Sequence, residues 1–479
     1  MHRINLGKGI ERVHFIGIGG ISMSGLAEIL HSDGFEVSGS DAVESDITLR
    51  LRKSGIGVAI GNKAENIPHD VDIAVYTAAV HADNPEYIAA KNLGIPVIDR
   101  ARLLGMITEG YPYTVCVSGT HGKTGTTALV SEIFLAAGLD PTISIGGYMA
   151  EGYNYRIGES GYFIMEACEY FDSFLQWRPH VGVILNIDND HMDFFGSMDR
   201  LYASFGQFAK NIKQGGSLVI YENTAGFEDI IKGLNCNIIA YGIGKEAPDA
   251  ARRCKRLYAE NIQFDVLGRP SFDILMDGIF VAYVKLPLTG KHQVLNALAS
   301  TAAGIALGVS AEEIKSGVNF ARGVKRRFEY KGDFNGADVV DDYAHHPTEI
   351  KANLSAAKDS RRCGGGRVIC AFQPHTYSRT RNLLNEFSAA FDDADTVLML
   401  PVYASREKDP GDISSMDLVE RLRLKNIQTQ YAPGFDEAVH WLEKELAPGD
   451  LLITMGAGDV YLVGERLLHT DFSTLSTAI

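Results

Sequence analysis

The sequence predicts an α/β protein of three domains, and three observations carry that expectation. Apolar runs such as VHFIGI, VDIAVYT, YTVCVSG, YFIME, HVGVILNI, GRVICAF, DTVLMLPVY and DLLITMG recur along the chain and alternate with amphipathic helical patterns. The runs are continuously apolar, the mark of parallel strands covered by helices on both faces. The length of 479 residues corresponds to about three domains at roughly 150 residues each. With 46% hydrophobic and 22% charged residues, the chain has material for several cores and no charge excess of the disordered kind.

The 45 basic and 60 acidic residues leave a formal net charge of -15. This argues against a broad electrostatic grip on nucleic acid or an anionic membrane, while local basic sites for small phosphates stay compatible. The start, MHRINLGKGIERVHFIGIGG, lacks the apolar core and cleavage site of a signal peptide. Nor does any apolar run approach the roughly 20 residues of a spanning helix. A cytoplasmic protein is expected, with no nucleic-acid partner and no membrane insertion. The six cysteines, Cys116, Cys168, Cys236, Cys254, Cys363 and Cys370, have neither zinc spacing nor a disulfide framework and read as reduced thiols.

Domain boundaries are set by where new strands begin. A strand after Pro112 runs into a phosphate-loop motif, and the helical segment 292–320 gives way to RRFEYKG and a fresh strand, GADVVDDY. The expected domains are therefore 1–110, 111–325 and 326–479. Between Tyr258 and Pro287 the alternation in NIQFDV, SFDILM and IFVAYVKL predicts short antiparallel strands appended to the middle domain. Gly364 to Gly366 read as a turn before the strand at Arg367.

In the middle domain, YTVCVSG runs into GTHGKTGTT and then a helix. Strand, glycine-rich loop and helix N-terminus together form a phosphate cradle, because the glycines let backbone N–H groups converge and the helix adds its positive end. The loop comprises Gly119, Thr120, His121, Gly122, Lys123, Thr124, Gly125 and Thr126; Lys123 is expected on the β and γ phosphates of a nucleotide and Thr124 on Mg²⁺. It is shorter than the usual pattern, with Val117 where a first glycine would fall. Two strand ends of the same domain bring candidate metal ligands: Glu166 and then Glu169 after YFIME, and Asp188, Asp190, His191 and Asp193 after HVGVILNI. Glu166 and His191 are expected to face the γ-phosphate through Mg²⁺.

The first domain opens with VHFIGIGGISMSGLAEILHSDGFEVSGSD, a strand, a glycine turn, a helix and a second strand ending at Asp41, about 20 residues beyond the loop. Gly17 and Gly19 fit a dinucleotide fingerprint, and Ser22 stands where its third glycine belongs. A nicotinamide oxidoreductase is one reading of this segment; a cradle for any diphosphate is the other. Further along, LPLTGKHQVLNALAS carries Lys291, His292 and Asn296 at a helix start, and KRRFEY pairs Arg326 with Arg327. DDYAHHPTEI masses Asp341, Asp342, Tyr343, His345 and His346 after a strand, and FQPHTYSRTR adds His375 and Arg379 after another. So many acid-base groups at strand ends mark a site.

Taken in order, GIGGISMSG with SGSD, GTHGKTGTT, MEACE, NIDNDHMDFF, GKHQVLNAL, KRRFE, VDDYAHHPTE, FQPHTYSRT and MGAGDVY resemble the Mur ligase family over essentially the whole chain. The resemblance implies a Rossmann-like UDP-binding domain, a central P-loop ATPase-like domain with a parallel sheet, and a C-terminal Rossmann-like α/β domain. GIGGISMSG and the paired histidines are similar to the branch that joins L-alanine to the lactyl carboxylate of UDP-N-acetylmuramate, and imply that activity. That reaction of peptidoglycan synthesis is driven by ATP and runs through an acyl phosphate. The branch that recycles murein tripeptide is the nearer alternative, an oxidoreductase the more distant one.

Position by position, the resemblance implies Gly17, Gly19, Gly20, Ser22, Ser40 and Asp41 at the UDP-sugar. It implies Thr124, Glu166 and His191 at the metal, Mg²⁺ with Mn²⁺ as substitute. His292, Asn296, Arg327 and Asp342 are implied at ATP, with Asn296 at adenine, and Tyr343, His345 and Arg379 at the amino acid. Lys123, His191, Arg327 and His345 are the implied catalytic residues, His345 handling the proton of the amine. The pattern departs at Gln293, where asparagine is usual, and at Thr376, where some relatives carry arginine. RLYASFGQF has no counterpart of the carbamylated lysine of sister ligases. A monomer or homodimer acting on UDP-N-acetylmuramate, ATP and L-alanine is expected.

Overall fold

The computed structural model describes residues 4–77, 80–361 and 365–473, so Cys363 and Gly364 lie outside the described residues. The chain divides into two compact units, one of Met1–Glu260, Ile274–Ala282 and Asn296–Phe320, the other of Asn261–Asp273, Tyr283–Leu295 and Ala321–Ile479. Three sheets organise them, each continuous apolar run of the sequence containing a strand, and the architecture is a three-domain α/β fold.

The N-terminal sheet has five strands in the order Gly57–Ile60, Glu36–Asp41, Arg12–Ile16, Ile73–Tyr76 and Val97–Asp99, all parallel. Strand order reverses beside Arg12–Ile16, and at such a switch point the chain leaving the carboxyl end opens a crevice. Gly17 to Gly20 leave the sheet there.

The central sheet has ten strands, ordered Ile279–Lys285, Pro270–Met276, Lys255–Phe264, Asn237–Ile243, Ser217–Tyr221, Val181–Ile184, Tyr113–Ser118, Tyr162–Ala167, Thr142–Ser144 and Tyr155–Arg156. From Lys255–Phe264 to Thr142–Ser144 the pairing is parallel. The strand before the phosphate loop therefore lies between the two strands that deliver Glu166 and His191. Lys255–Phe264 corrects one expectation in part: it is 10 residues long and pairs in parallel with Asn237–Ile243 on one side. On the other side, the bonds from the Asp277 N–H to the Arg256 carbonyl and from the Asp265 N–H to the Arg269 carbonyl run it antiparallel to Pro270–Met276, as the alternation predicts. Buried Leu257, Tyr258 and Ala259 precede the alternating NIQF segment, and this apolar start extends the parallel sheet by one strand.

In the first unit a single apolar cluster joins Val13, Phe15, Leu103 and Ile107 to Phe163, Phe174 and Trp177. The N-terminal and middle domains thus share one core. Close contacts confirm it: a Cβ on Gly25 would stand 2.5 Å from the Tyr155 ring, and Trp177 Nε1 donates to the Ala101 carbonyl at 3.1 Å.

The C-terminal sheet has six strands in the order Glu329–Phe334, Ala337–Asp342, Leu451–Met455, Val368–Phe372, Thr396–Met399 and Gln428–Tyr431. The first pair is antiparallel and the rest parallel. Alternate residues feed opposite faces, Val340, Cys370 and Phe372 one core, Val339, Ile369 and Ala371 the other. MGAGDVY forms the bend after Leu451–Met455: Gly456 N–H donates to the Asp342 carbonyl at 3.0 Å, and a Cβ on Gly458 would meet Gln373 at 2.4 Å. The described cysteines are all free thiols. No helix among the described residues is long and apolar enough to cross a membrane.

Candidate active site

At the first glycine loop, the Gly17 and Ile18 N–H groups donate to the Ser40 carbonyl at 2.9 and 2.8 Å. The Gly19 N–H donates to Asp41 Oδ2 at 2.8 Å, so close that a Cβ on Gly19 would stand 2.7 Å from that oxygen. Gly20 caps the helix Ile21–Ser32 without a side-chain hydrogen bond, leaving its first turn open to an anion. Ser40, expected at the UDP-sugar, is fully buried and donates its hydroxyl to Glu86, which also accepts from Asn66 Nδ2 at 2.8 Å and the Lys63 N–H at 3.2 Å. Its backbone braces the loop while its side chain faces inward.

The second loop comes directly after Tyr113–Ser118, with Gly119 at φ 138° and Gly122 at φ 82° before the helix Lys123–Ala136. Asn186 holds it from the neighbouring strand end: its Oδ1 accepts the His121 N–H at 2.8 Å, its Nδ2 donates to the His121 carbonyl at 3.0 Å, and its carbonyl accepts the Thr120 N–H at 3.1 Å. Asp188 adds its N–H to Thr120 Oγ1 at 2.9 Å and its carboxylate to His121 Nε2 at 3.1 Å. Sequence reasoning missed Asn186; its position just past a buried strand beside the loop strand is the signal that would have found it. Asn296 reaches the same loop, its Oδ1 3.1 Å from where a Cβ on Gly122 would lie.

Glu166 pairs in register with Val117, on the strand entering the loop, and its Oε1 accepts the Gly146 N–H at 2.7 Å. Lys123 instead meets Glu169: Nζ lies 3.0 and 3.2 Å from the two carboxylate oxygens and donates to the Gly119 carbonyl at 2.5 Å and the Thr120 carbonyl at 3.1 Å. Burial alone would discharge this ammonium, but Glu169 outweighs it and holds the proton on. His191 Nε2 stands 3.9 Å from Glu169 Oε1, and the ring stacks on Tyr170 at 4.4 Å. Its backbone is left-handed, φ 56°, a conformation that turns the side chain off the strand end. Thr124, Glu166, Glu169 and His191 thus offer a hydroxyl, two carboxylates and an imidazole at one sheet edge, a donor set that fits a hard divalent cation beside phosphates.

The second unit gathers the other group. Tyr343 and His345 rings lie 5.4 Å apart, His345 and His375 rings 5.7 Å, and Arg379 Nη1 is 3.2 Å from His375 Nδ1. His345 Nδ1 lies 3.0 Å from the Tyr343 carbonyl, which only accepts, so Nδ1 carries the proton and Nε2 keeps its lone pair. Burial pushes this imidazole down to about 4, with Glu349 opposing and Arg379 reinforcing the shift. His292 is also held near 4 by burial, and it feels Glu349 and Arg327.

The adjacent arginines both lie over the Tyr343 ring but have different ionic partners. Arg326 Nε pairs with Asp341 at 2.9 Å and Nη2 donates to the Gly456 carbonyl at 2.8 Å, a bond within the fold. Arg327 is held more loosely, 3.8 Å from Glu349 and over the Tyr343 ring. Asp342, expected at ATP, is buried and accepts the Phe328 and Ala344 N–H groups at 2.7 Å each and Asn353 Nδ2 at 2.8 Å. These bonds brace the turn carrying Arg327. Burial raises its carboxyl to about 6, against the pull of Arg327.

Three family descriptions match in series: "Mur ligase family, catalytic domain" over residues 12–112, "Mur ligase middle domain" over 117–304 and "Mur ligase, glutamate ligase domain" over 326–458. The UDP-N-acetylmuramate--L-alanine ligase of Agathobacter rectalis is 47% identical, covering 98% of this chain and 100% of that one. The chain belongs to the Mur ligase family. A second Mur ligase relative, from Acetivibrio thermocellus and of the same name, is 49% identical over 96% of each chain. Among solved Mur ligases, the UDP-N-acetylmuramate-alanine ligase of Thermotoga maritima superposes with a TM-score of 0.77 at 26% identity, covering 97% of this chain and 99% of that one. The murein peptide ligase of Psychrobacter arcticus shares the fold, with a TM-score of 0.68 at 24% identity over 96% and 98% of the two chains.

Proposed function

We propose that this Mur ligase joins L-alanine to the lactyl carboxylate of UDP-N-acetylmuramate at the expense of ATP, in peptidoglycan precursor synthesis in the cytoplasm. The observation that carries it is the pair of glycine cradles in one compact unit, the second flanked by Lys123, Glu166, Glu169 and His191. The relatives of that name support it over nearly the full chain. We assign its domains to 1–110, 111–325 and 326–479.

A carboxylate is a poor electrophile. One of its oxygens attacks the γ-phosphorus, the bond to the bridging oxygen breaks with its electrons going to ADP, and an acyl phosphate results. The neutral amine of alanine adds to the acyl carbon, and the tetrahedral intermediate expels phosphate. The loop of Gly17, Gly19, Gly20 and Ser22 cradles the UDP diphosphate against the start of the helix Ile21–Ser32, its shape fixed by the Gly17 and Gly19 N–H bonds to Ser40 and Asp41. The loop Gly119 to Thr126 cradles the triphosphate, with the main-chain N–H groups at the start of the helix Lys123–Ala136 facing it, and the Lys123 ammonium offsets the charge that grows between β and γ phosphates. A magnesium ion held by Thr124, Glu166 and His191 would supply further charge neutralisation at those phosphates. Asn296 and His292 border the nucleotide, and Arg327 carries cationic charge to it, Asp342 bracing its turn. Tyr343 and Arg379 receive the amino acid, and Nε2 of His345 accepts the proton of the amine.

The test is phosphate release with UDP-N-acetylmuramate and ATP across the amino acids and murein tripeptide. Alanine is expected to give the highest kcat/KM; a preference for tripeptide would make this a recycling ligase. Lys123→Ala should abolish release while leaving UDP-sugar binding intact, and loss of both together would contradict separate cradles.

A further inference from the structure

Arg100 opens the helix Arg100–Glu109, and its Nη1 donates to Ser22 Oγ at 2.9 Å, in the first turn of the helix that begins at the first glycine loop. Among the described residues no carboxylate stands within ion-pair distance of this guanidinium. Neighbouring Asp99 directs Oδ1 to the Arg102 N–H at 3.0 Å instead. Burial pulls the Arg100 guanidinium down, and Cys168 and Asp99 oppose the shift. Cys168 stands between Glu166 and Glu169 in sequence and feels Glu169, Lys123 and Glu166. Arg100 therefore touches the first cradle through Ser22, and its helix packs on the segment Tyr170–Trp177 that directly follows Glu169 of the second.

The helix that carries it is firmly seated. The Ala101 carbonyl accepts Trp177 Nε1 at 3.1 Å, and a Cβ on Gly105 would stand 2.6 Å from the Gln176 carbonyl. Arg100 is half-buried, so a cation without a counter-ion is only partly hydrated there, and its planar guanidinium fork matches a carboxylate in two parallel hydrogen bonds. In the proposed reaction, the acid must lie between the diphosphate and the triphosphate. We propose that Arg100, oriented by Ser22, binds the lactyl carboxylate of the sugar nucleotide and presents it to the γ-phosphoryl group. This assignment rests on the proposed activity and adds to it the residue that distinguishes the acid from a neutral nucleotide sugar.

The experiment compares binding of UDP-N-acetylmuramate with that of UDP-N-acetylglucosamine, the nucleotide sugar without the lactyl acid, by calorimetry on the intact enzyme and on Arg100→Met. The variant is expected to lose roughly 10- to 100-fold in affinity for the acid, the loss of a charged hydrogen-bonded contact, with UDP-N-acetylglucosamine and the KM for ATP unchanged. Arg100→Lys, which keeps charge without the fork, should fall between the two. Equal weakening of both sugars would assign the guanidinium to the diphosphate and overturn the proposal, as would no change in either. Thermal melting of both variants separates misfolding from lost binding; if Arg100→Met does not fold, wild-type affinity in a folded Arg100→Lys overturns the proposal and a selective loss for the acid supports it. Absence of phosphate release by the unaltered enzyme with UDP-N-acetylmuramate would sink the proposed activity itself, and this assignment with it.

Discussion

Lys123 Nζ lies 3.0 Å from Glu169 Oε2, and the same carboxylate stands 3.9 Å from His191 Nε2. Glu169 is therefore the group through which the phosphate-loop lysine and the histidine of the next strand end share one field. A nearly inaccessible carboxylate in this position offsets the lysine charge before nucleotide binds and remains beside it when phosphates arrive.

Glu169→Gln keeps the shape and removes the charge. We expect kcat/KM for ATP to fall on the order of 100-fold, about 3 kcal/mol of barrier, with the KM for UDP-sugar unmoved. Steady-state phosphate release checks this. Unchanged kinetics would reduce Glu169 to a packing counter-ion.

Asn186 ties both the N–H and the carbonyl of His121 to a strand end. In Asn186→Ala those two groups lose their partners, a cost of roughly 1–3 kcal/mol each where water cannot replace them. The expected result is a lower melting temperature and a KM for ATP raised about tenfold, relieved in part by saturating nucleotide, which selects the formed loop. A variant that melts as the parent does and binds ATP normally would show that the loop holds its shape unaided.

His292, His345 and His375 are each held near 4, chiefly by burial. An unfolded histidine titrates near 6.5, so between these values the unfolded chain binds more protons than the native one. The stability these rings contribute is fully present above about pH 6.5 and is lost as the pH falls towards 4. Asp342, raised by burial to about 6, and Asp341, also raised by burial, act in the opposite sense over part of that window, two acids against three imidazoles. Melting of the second unit, tracked by calorimetry, should shift to lower temperature from pH 7 to pH 5, and His375→Gln should flatten the slope. A flat or rising profile in the parent would refute the assignment of neutral buried rings.

Local pattern made the α/β class, the strand runs and both glycine loops legible, because hydrophobic periodicity and glycine spacing are properties of neighbouring residues. It also led to Glu166, His191, Tyr343, His345 and Arg379 as groups at strand ends, since parallel strands bring their C-terminal ends, and the residues just beyond them, to one edge of the sheet. Hydrogen-bond partners are not local. Only the tertiary structure decided that Ser40 turns inward to Glu86, that Asp342 braces the Arg327 turn, that Glu169 rather than Glu166 meets Lys123, and that Asn186 and Arg100 belong at the loops. Those outcomes depend on which residues far apart in the chain share a buried volume, where each polar group must find a partner, and no spacing within one segment encodes that.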